Sequence, residues 1–293
     1  MLEISQLEIH LEFTTPADLP YWMGSAFRGV FGRELRNLVC TTHLRCEDCG
    51  RKDDCLYYYL YERRTSRRGH APPVRPIIVI PPFFGRPMHF EEKGRLKIDL
   101  LLFGDFIEYL PHALLALIYA GNRGIGAARH YGQNRFVVKK AVCAFTGNTV
   151  FDGNTIYMEA SKKLDVLEIE PFLENTITIG FRTPYTGRVF PPDAYEFLDR
   201  IRNRLIRYVN EYGSGEEVPA FQASGNVFLL SKHFHNLQRR SSRSDKRVFP
   251  AHTGVVRYEY DGLDTTARWL ISTGLLTGLG PDASFGCGFL KKM

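Results

Sequence analysis

Two stretches of this chain carry the same succession of hydrophobic periods, and that duplication constrains the fold more than any single motif. Glu3–Phe13 alternates with period two, Ile4, Leu7, Ile9, Leu11 and Phe13 supplying most of an apolar face, as a half-buried strand does. Pro16 and Pro20 break it. Residues 24–38 switch to helical spacing, with Phe27, Val30, Phe31, Leu35 and Leu38 along one side. Apolar runs at Ile77–Ile80 and 96–103 predict strands. Ile107, Leu110, Leu114, Leu117 and Ile118 mark a second helix, opened or kinked at Pro111, and a strand over 136–145 closes the half. The second half repeats the order, with strand Thr176–Phe181, helix 193–209, strands 226–230 and 254–260, helix 263–276 and a last strand 288–292. On the helix at 193–209, Arg200, Arg204 and Arg207 fall on the face opposite Phe197, Leu198, Ile201, Leu205 and Val209.

Strand, helix, strand, strand, helix, strand is the split βαβ plan. The expected fold class is therefore α+β: tandem ferredoxin-like (RRM-like, βαββαβ) domains, 1–150 and 151–293, the first carrying a Cys-rich insertion at 40–75. One larger mixed domain is the alternative. A length of 293 residues gives each half enough chain for its own core. In both halves the second helix runs into a glycine-rich turn, at 121–126 and again at 278–288.

The final turn reads Gly278-Leu-Gly280-Pro-Asp-Ala-Ser284-Phe-Gly286-Cys-Gly288. Four glycines so close let a backbone fold tightly with amides turned outward, a surface that holds phosphates; such loops also form where two segments merely pack closely. Charge is the companion signal. The net charge of +6 is moderate, but the basic residues are gathered: Arg63, Arg64, Arg67, Arg68 and Arg75 in one loop-like region, and Lys232, Arg239, Arg240, Arg243, Lys246 and Arg247 in another, opposed only by Asp245. That distribution points to a polyanion, nucleic acid first. No membrane span is expected, because the apolar run at 109–120 is short and holds Pro111 and His112. The first residues lack the plan of a signal peptide, so the expected location is cytoplasmic.

Cys40, Cys46, Cys49 and Cys55 have the spacing C-x5-C-x2-C-x5-C, which suits a structural zinc; an iron–sulfur cluster would use the same ligands. Cys143 reads as core. Tyr57, Tyr58, Tyr59 and Tyr61, beside Arg63 and Arg64, offer stacking surfaces next to charge, though aromatics so spaced also build cores.

Taken together, the duplicated plan, the terminal glycine loop and the segments at 20–40, 56–62 (LYYYLYE), 101–126, 181–189 (FRTPYTGRV) and 239–247 (RRSSRSDKR) resemble the CRISPR-associated RAMP superfamily, in its repeat-processing endoribonuclease branch. The resemblance covers most of the chain. It implies cleavage of CRISPR precursor RNA within each repeat to give guide RNA, with the enzyme staying on its product to join other subunits of an interference complex. A non-catalytic RNA-binding subunit of the same superfamily is the alternative, and a metalloenzyme built on the cysteines is a third reading.

Catalytic residues vary within that family, so the site is argued from chemistry. Cleavage by the substrate's own 2′-hydroxyl needs a base, an acid and cations on the phosphate, and no catalytic cofactor. By resemblance His43, just past the first helix, is the first candidate, with Lys52 and Arg45 near in sequence to serve the phosphate. His233 and His235 compete, since they alternate on one strand face directly before the arginine run. Arg28 points, by resemblance, toward the RNA. The expected RNA contacts are Arg28, Arg239, Arg240, Arg243, Lys246 and Arg247, with Gly278, Gly280, Ser284, Gly286 and Gly288 of the terminal loop; Lys291 could add to them.

Overall fold

The computed structural model describes residues 1–42, 44–66, 73–126, 131–241 and 244–293, with the backbone alone along 239–241 and 244–247. The chain forms two compact units, Glu3–Lys163 and Leu164–Met293, the second also taking in Met1–Leu2. The division falls later than 150/151 but within 151–173, where the regular patterning of the sequence fades, because the strand at Thr149–Phe151 still pairs with the first sheet.

The first unit runs β1 (Glu3–Phe13), β2 (Ala17–Leu19), α1 (Gly24–Val39), β3 (Ile77–Ile80), β4 (Met88–Phe90), β5 (Arg95–Phe103), α2 (Leu110–Arg123), β6 (Phe136–Cys143) and β7 (Thr149–Phe151). Its main sheet has the order β3-β5-β1-β6-β7, all neighbours antiparallel. Its four long strands thus lie second, third, first, fourth, the ferredoxin-like order. β1 takes the centre because its alternation buries one whole face; Leu7 faces Leu100 on one side and Cys143 on the other. Phe27, Phe31 and Leu35 of α1 and Leu114 and Leu117 of α2 close the core over that sheet. β2 and β4 make a separate two-stranded ribbon.

In the second unit follow β8 (Leu164–Asp165), β9 (Thr176–Phe181), α3 (Ala194–Tyr212), β10 (Ala223–Ser241), β11 (Ser244–Leu263), α4 (Thr265–Thr277) and β12 (Leu290–Lys292). The sheet order β10-β11-β9-β12 repeats second, third, first, fourth. Both helices start on an aspartate: the Asp193 carboxylate accepts from the Glu196 amide at 2.7 Å, and Asp264 from Ala267 at 2.7 Å. Each cap satisfies an amide that has no partner inside the helix. Phe197, Leu198 and Ile201 turn inward from α3 as the periodicity predicts, but Arg204 joins them at 5% exposure instead of facing out with Arg207.

The hairpin β10–β11 departs most from expectation. Strands expected at 226–230 and 254–260 extend to 19 and 20 residues, and the arginine run expected in a loop lies on their distal ends, Arg239 opposite Arg247 and Ser241 opposite Ser244. β9 pairs with β11 only at 255–259, so the rest of the hairpin continues as a two-stranded ribbon beyond the sheet. No helix among the described residues is long and apolar enough to cross a membrane.

Candidate functional site

The terminal glycine loop lies between α4 and β12, and much of it is structural. Gly278, Gly280, Gly286 and Gly288 all take positive φ, 69° to 80°. Gly278 and Gly288 are where two segments cross: the Leu279 amide donates to the Gly288 carbonyl at 2.9 Å, and a Cβ on Gly288 would sit 2.0 Å from the Leu279 oxygen. Only glycine fits there. The amides of Gly278, Leu279 and residues 285–289 all donate within this unit, those of Gly288 and Phe289 to Pro184 and the Thr183 hydroxyl. The expectation of a loop lined throughout with outward amides is thereby corrected. What is left is the tip, where Gly280, Asp282, Ala283 and Ser284 have no acceptor among the described residues.

That tip is tied to the 183–190 segment. The Thr186 hydroxyl donates to Asp282 Oδ2 at 3.1 Å, which draws the tip's one carboxylate aside, and the Tyr185 ring underlies Gly280. Tyr185 is fully buried, with its hydroxyl pKa pushed up to about 12 by burial. Its backbone exchanges two hydrogen bonds with His252 of β11, at 2.8 and 2.9 Å. Tip, connecting segment and ribbon are therefore one continuous structure within the second unit.

On the ribbon, His252 stacks on Phe190 with centroids 5.2 Å apart and planes 10° apart, and meets its cross-strand partner Phe234 edge-on at 5.4 Å. Lys232 reaches over Phe190 at 6.0 Å. Burial, then the Lys232 charge, lowers the His252 pKa. His233 and His235 share a face of β10, opposite Thr253 and Ala251; His235 Nε2 lies 2.8 Å from the Thr253 hydroxyl. Burial foremost, then His233 and His252, lowers the His235 pKa below the usual imidazole value, so it is neutral at pH 7. His233 is exposed. Ser284 is half-buried at the tip, and Lys291 is exposed on β12. The side chains of Arg239, Arg240, Lys246 and Arg247, and Arg243 altogether, lie outside what the structure describes.

Beneath the loop, no guanidinium nitrogen of Arg204 meets an acceptor in full hydrogen-bonding geometry among the described residues, although the Tyr208 side chain is near enough to favour its charge. Its guanidinium stacks over Phe289 at 5.1 Å, and burial lowers its pKa.

The first unit brings fewer of its candidates together. His43 lies outside the described residues. Lys52 heads a short turn and is half-buried. Arg28 lies over the Tyr61 ring at 5.6 Å, and the Tyr61 hydroxyl donates to its carbonyl. The tyrosines are packed rather than offered to bases: Tyr57 stacks on Tyr61 at 5.4 Å, Tyr59 on Phe106 at 5.0 Å, and Arg63 covers Tyr59 at 3.9 Å. The zinc expectation gains no support. Cys40 and Cys55 are close enough to Cys46 to be felt electrostatically, yet among the described residues no three His, Cys, Asp or Glu side chains converge as metal ligands. Cys40 caps α1, Cys46 and Cys49 bracket one short turn, Cys55 ends the next, and Cys49 lies 3.6 Å from the Thr42 hydroxyl.

Sequence reasoning missed His252, Phe234, Tyr185, Phe190 and Arg204. Tyr185 belongs to FRTPYTGRV, noted above as a motif but given no role. The His252–Phe234 pair follows from the register of a ribbon that was expected to be far shorter.

Known proteins match this chain along its full length. Residues 2–168 match AF_1859_N, an N-terminal domain family, and residues 177–292 match AF_1859_C, a C-terminal domain family. A protein of Archaeoglobus fulgidus called uncharacterized is 37% identical over 293 residues, covering 99% of this chain and 98% of its own. Among solved structures, a Cas6 product complex superposes with a TM-score of 0.56 at 14% identity, covering 99% of both chains. Thermus thermophilus Cas6 gives 0.54 at 12%, over 100% and 99%. A Cas6-related protein from Pyrococcus furiosus gives 0.51 at 14%, over 99% and 98%. At such identities the likeness is one of fold, and the tandem ferredoxin-like Cas6 fold is the one found here. Given both domain matches in order and the relative matched end to end, the chain belongs to the AF_1859 family.

Proposed function

We propose that this protein binds and cleaves CRISPR precursor RNA within its repeats, as a metal-independent endoribonuclease. The observation that carries the reading is the tandem ferredoxin-like fold shared with Cas6 structures, one of them a product complex, over 99% of both chains. Two features of the second unit support it: an amide-bearing loop tip, and a ribbon whose distal strands carry Arg239, Arg240, Lys246 and Arg247, the two continuous through Tyr185 and His252.

In the proposed reaction the 2′-oxygen attacks the adjacent phosphorus, a P–O bond forms to it, and the bond to the 5′-oxygen breaks. A base takes the 2′-hydroxyl proton and an acid delivers one to the leaving oxygen, giving a 2′,3′-cyclic phosphate and a 5′-hydroxyl. The tip amides and the basic ribbon hold the phosphate backbone, and cations beside it offset the charge that builds on phosphorus. Arg28 and Lys52 serve the RNA from the first unit. His43 and His235, with His233 beside it, are the candidates for proton transfer. Of these, His235 suits the base, because its depressed pKa leaves the ring neutral at pH 7. The enzyme then stays on the cleaved guide RNA and joins other subunits of an interference complex.

The test is incubation with a repeat-containing transcript in EDTA. Cutting at one position with a cyclic phosphate end is the expected result; binding without cutting makes the protein a non-catalytic RNA-binding subunit instead. His43→Ala and His235→Ala are compared in single-turnover reactions, and loss of the acting base slows cleavage about 100-fold or more. If His235 is the base, the rate rises with pH through a pKa below the ordinary 6.5 and levels off above it.

A further inference from the structure

The β10–β11 hairpin exposes apolar side chains that its charge alone does not explain. Phe228, Leu229, Leu230, Phe234 and Val248 are 39%, 46%, 53%, 56% and 55% exposed, along a hairpin whose β10 forms the outer edge of its sheet. Phe234 is the one aromatic among them with an ordered ring partner across the strands: its ring stands edge-on to His252, and His252 lies flat on Phe190. The His252 ring is packed between Phe190 and Phe234, and among the described residues its buried Nδ1 has no hydrogen-bond partner. Lys232, two residues before Phe234 on the same face, extends over Phe190. A rigid two-ring step thus stands beside an exposed ammonium group.

From this geometry we infer that Phe234 and His252 form a stacking step for one unpaired nucleobase of the bound RNA, with Lys232 on the neighbouring phosphate. The inference rests on the RNA-binding reading above and adds a subsite to it. Every nucleobase has an apolar face and an anionic tether, and this surface offers the matching pair, an exposed aromatic ring beside a cation. A second copy of the chain is the other occupant an exposed strand edge invites. Charge argues against it, because Lys232 and the Arg239–Arg247 run would be brought toward their like, opposed in each copy by Asp245, Glu259 and Asp261. Neighbouring bases lead the backbone toward the loop tip, which joins the ribbon through Tyr185 and His252.

The experiment uses the full chain and a single-stranded oligoadenylate carrying 2-aminopurine, whose fluorescence falls when the base is stacked. Binding of the wild-type protein quenches the probe. Phe234→Ala weakens affinity about tenfold and loses much of the quenching, with the salt dependence of binding unchanged. Phe234→Trp restores both. Phe234 is exposed, so circular dichroism and thermal melting of the alanine variant stay those of wild type. If the wild-type protein binds no RNA, the functional reading falls and this inference with it. If wild type binds but Phe234→Ala binds and quenches equally, the stacking step alone is overturned. Conversion of a wild-type dimer to a monomer by Phe234→Ala, seen by sedimentation, would identify the surface as a contact between copies and also overturn the inference.

Discussion

Arg204 is the least expected residue in the second unit. Helical spacing places it with Arg200 and Arg207, and nothing within α3 says otherwise. Its burial is decided from outside the helix, by Phe289 and the crossing of Gly278 and Gly288, whose missing side chains leave room for the guanidinium. That crossing depends on contacts from residues 183–184, far away in sequence, so it was not legible in the helix itself. A buried charge without an acceptor is costly, and removing it relieves the cost. Arg204→Met keeps the length of the stem, so it is expected to raise stability by at least about 1 kcal/mol. The same change weakens RNA binding, because the loop tip loses the positive potential beneath it. Calorimetry and an affinity measurement on one preparation check both halves. A lower melting temperature would mean that the guanidinium has a partner on which folding depends.

Among the elements, helices and central strands were legible and the ribbon was not. The reason is which force fixes each. β1, β3 and β9 begin and end where their periodicity does, because burial of one face holds them in place. The distal ribbon is held by cross-strand backbone hydrogen bonds, and its apolar residues Phe234, Leu237, Val248 and Phe249 follow no strict alternation to read. Pro250, opposite Asn236, is tolerated within β11 because it lies beyond the stretch that pairs with β9, where its missing N–H costs no ladder bond. The glycine loop is an intermediate case. Its glycines were visible, but which amides remain free follows from the close crossing. A Cβ at Gly288 would meet the Leu279 carbonyl and force a left-handed backbone on alanine. Gly288→Ala is expected to cost at least about 1–3 kcal/mol, from the backbone strain alone. By contrast Ser284→Ala, at the half-buried tip, leaves stability within about 0.5 kcal/mol. Denaturant titration distinguishes them. Equal stability of the two variants would remove the structural role assigned to the crossing.

Across the whole molecule, two units with one strand order divide unlike tasks. Most of what the described residues offer an RNA lies in the second: the tip amides, the His252–Phe234 step and the ribbon that carries the arginine run. In the first, the aromatics beside the cysteine segment are occupied with one another, and Arg28 with Tyr61. The net charge of +6 is therefore better treated as a local quantity, concentrated where Arg239, Arg240, Arg243, Lys246 and Arg247 crowd five cations into nine residues. Counterion release makes that concentration measurable. Each phosphate contact to a single strand contributes roughly 0.7 to the slope of log affinity against log salt. Replacing all five by glutamine should flatten the slope by several such contacts and weaken binding most at low salt. Phe234→Ala, in contrast, should shift affinity without altering the slope, since stacking releases no counterions. A five-fold variant whose slope matched the wild type would mean that the distal ribbon never meets the phosphate backbone, and the RNA would then have to be held by the loop tip and the first unit alone.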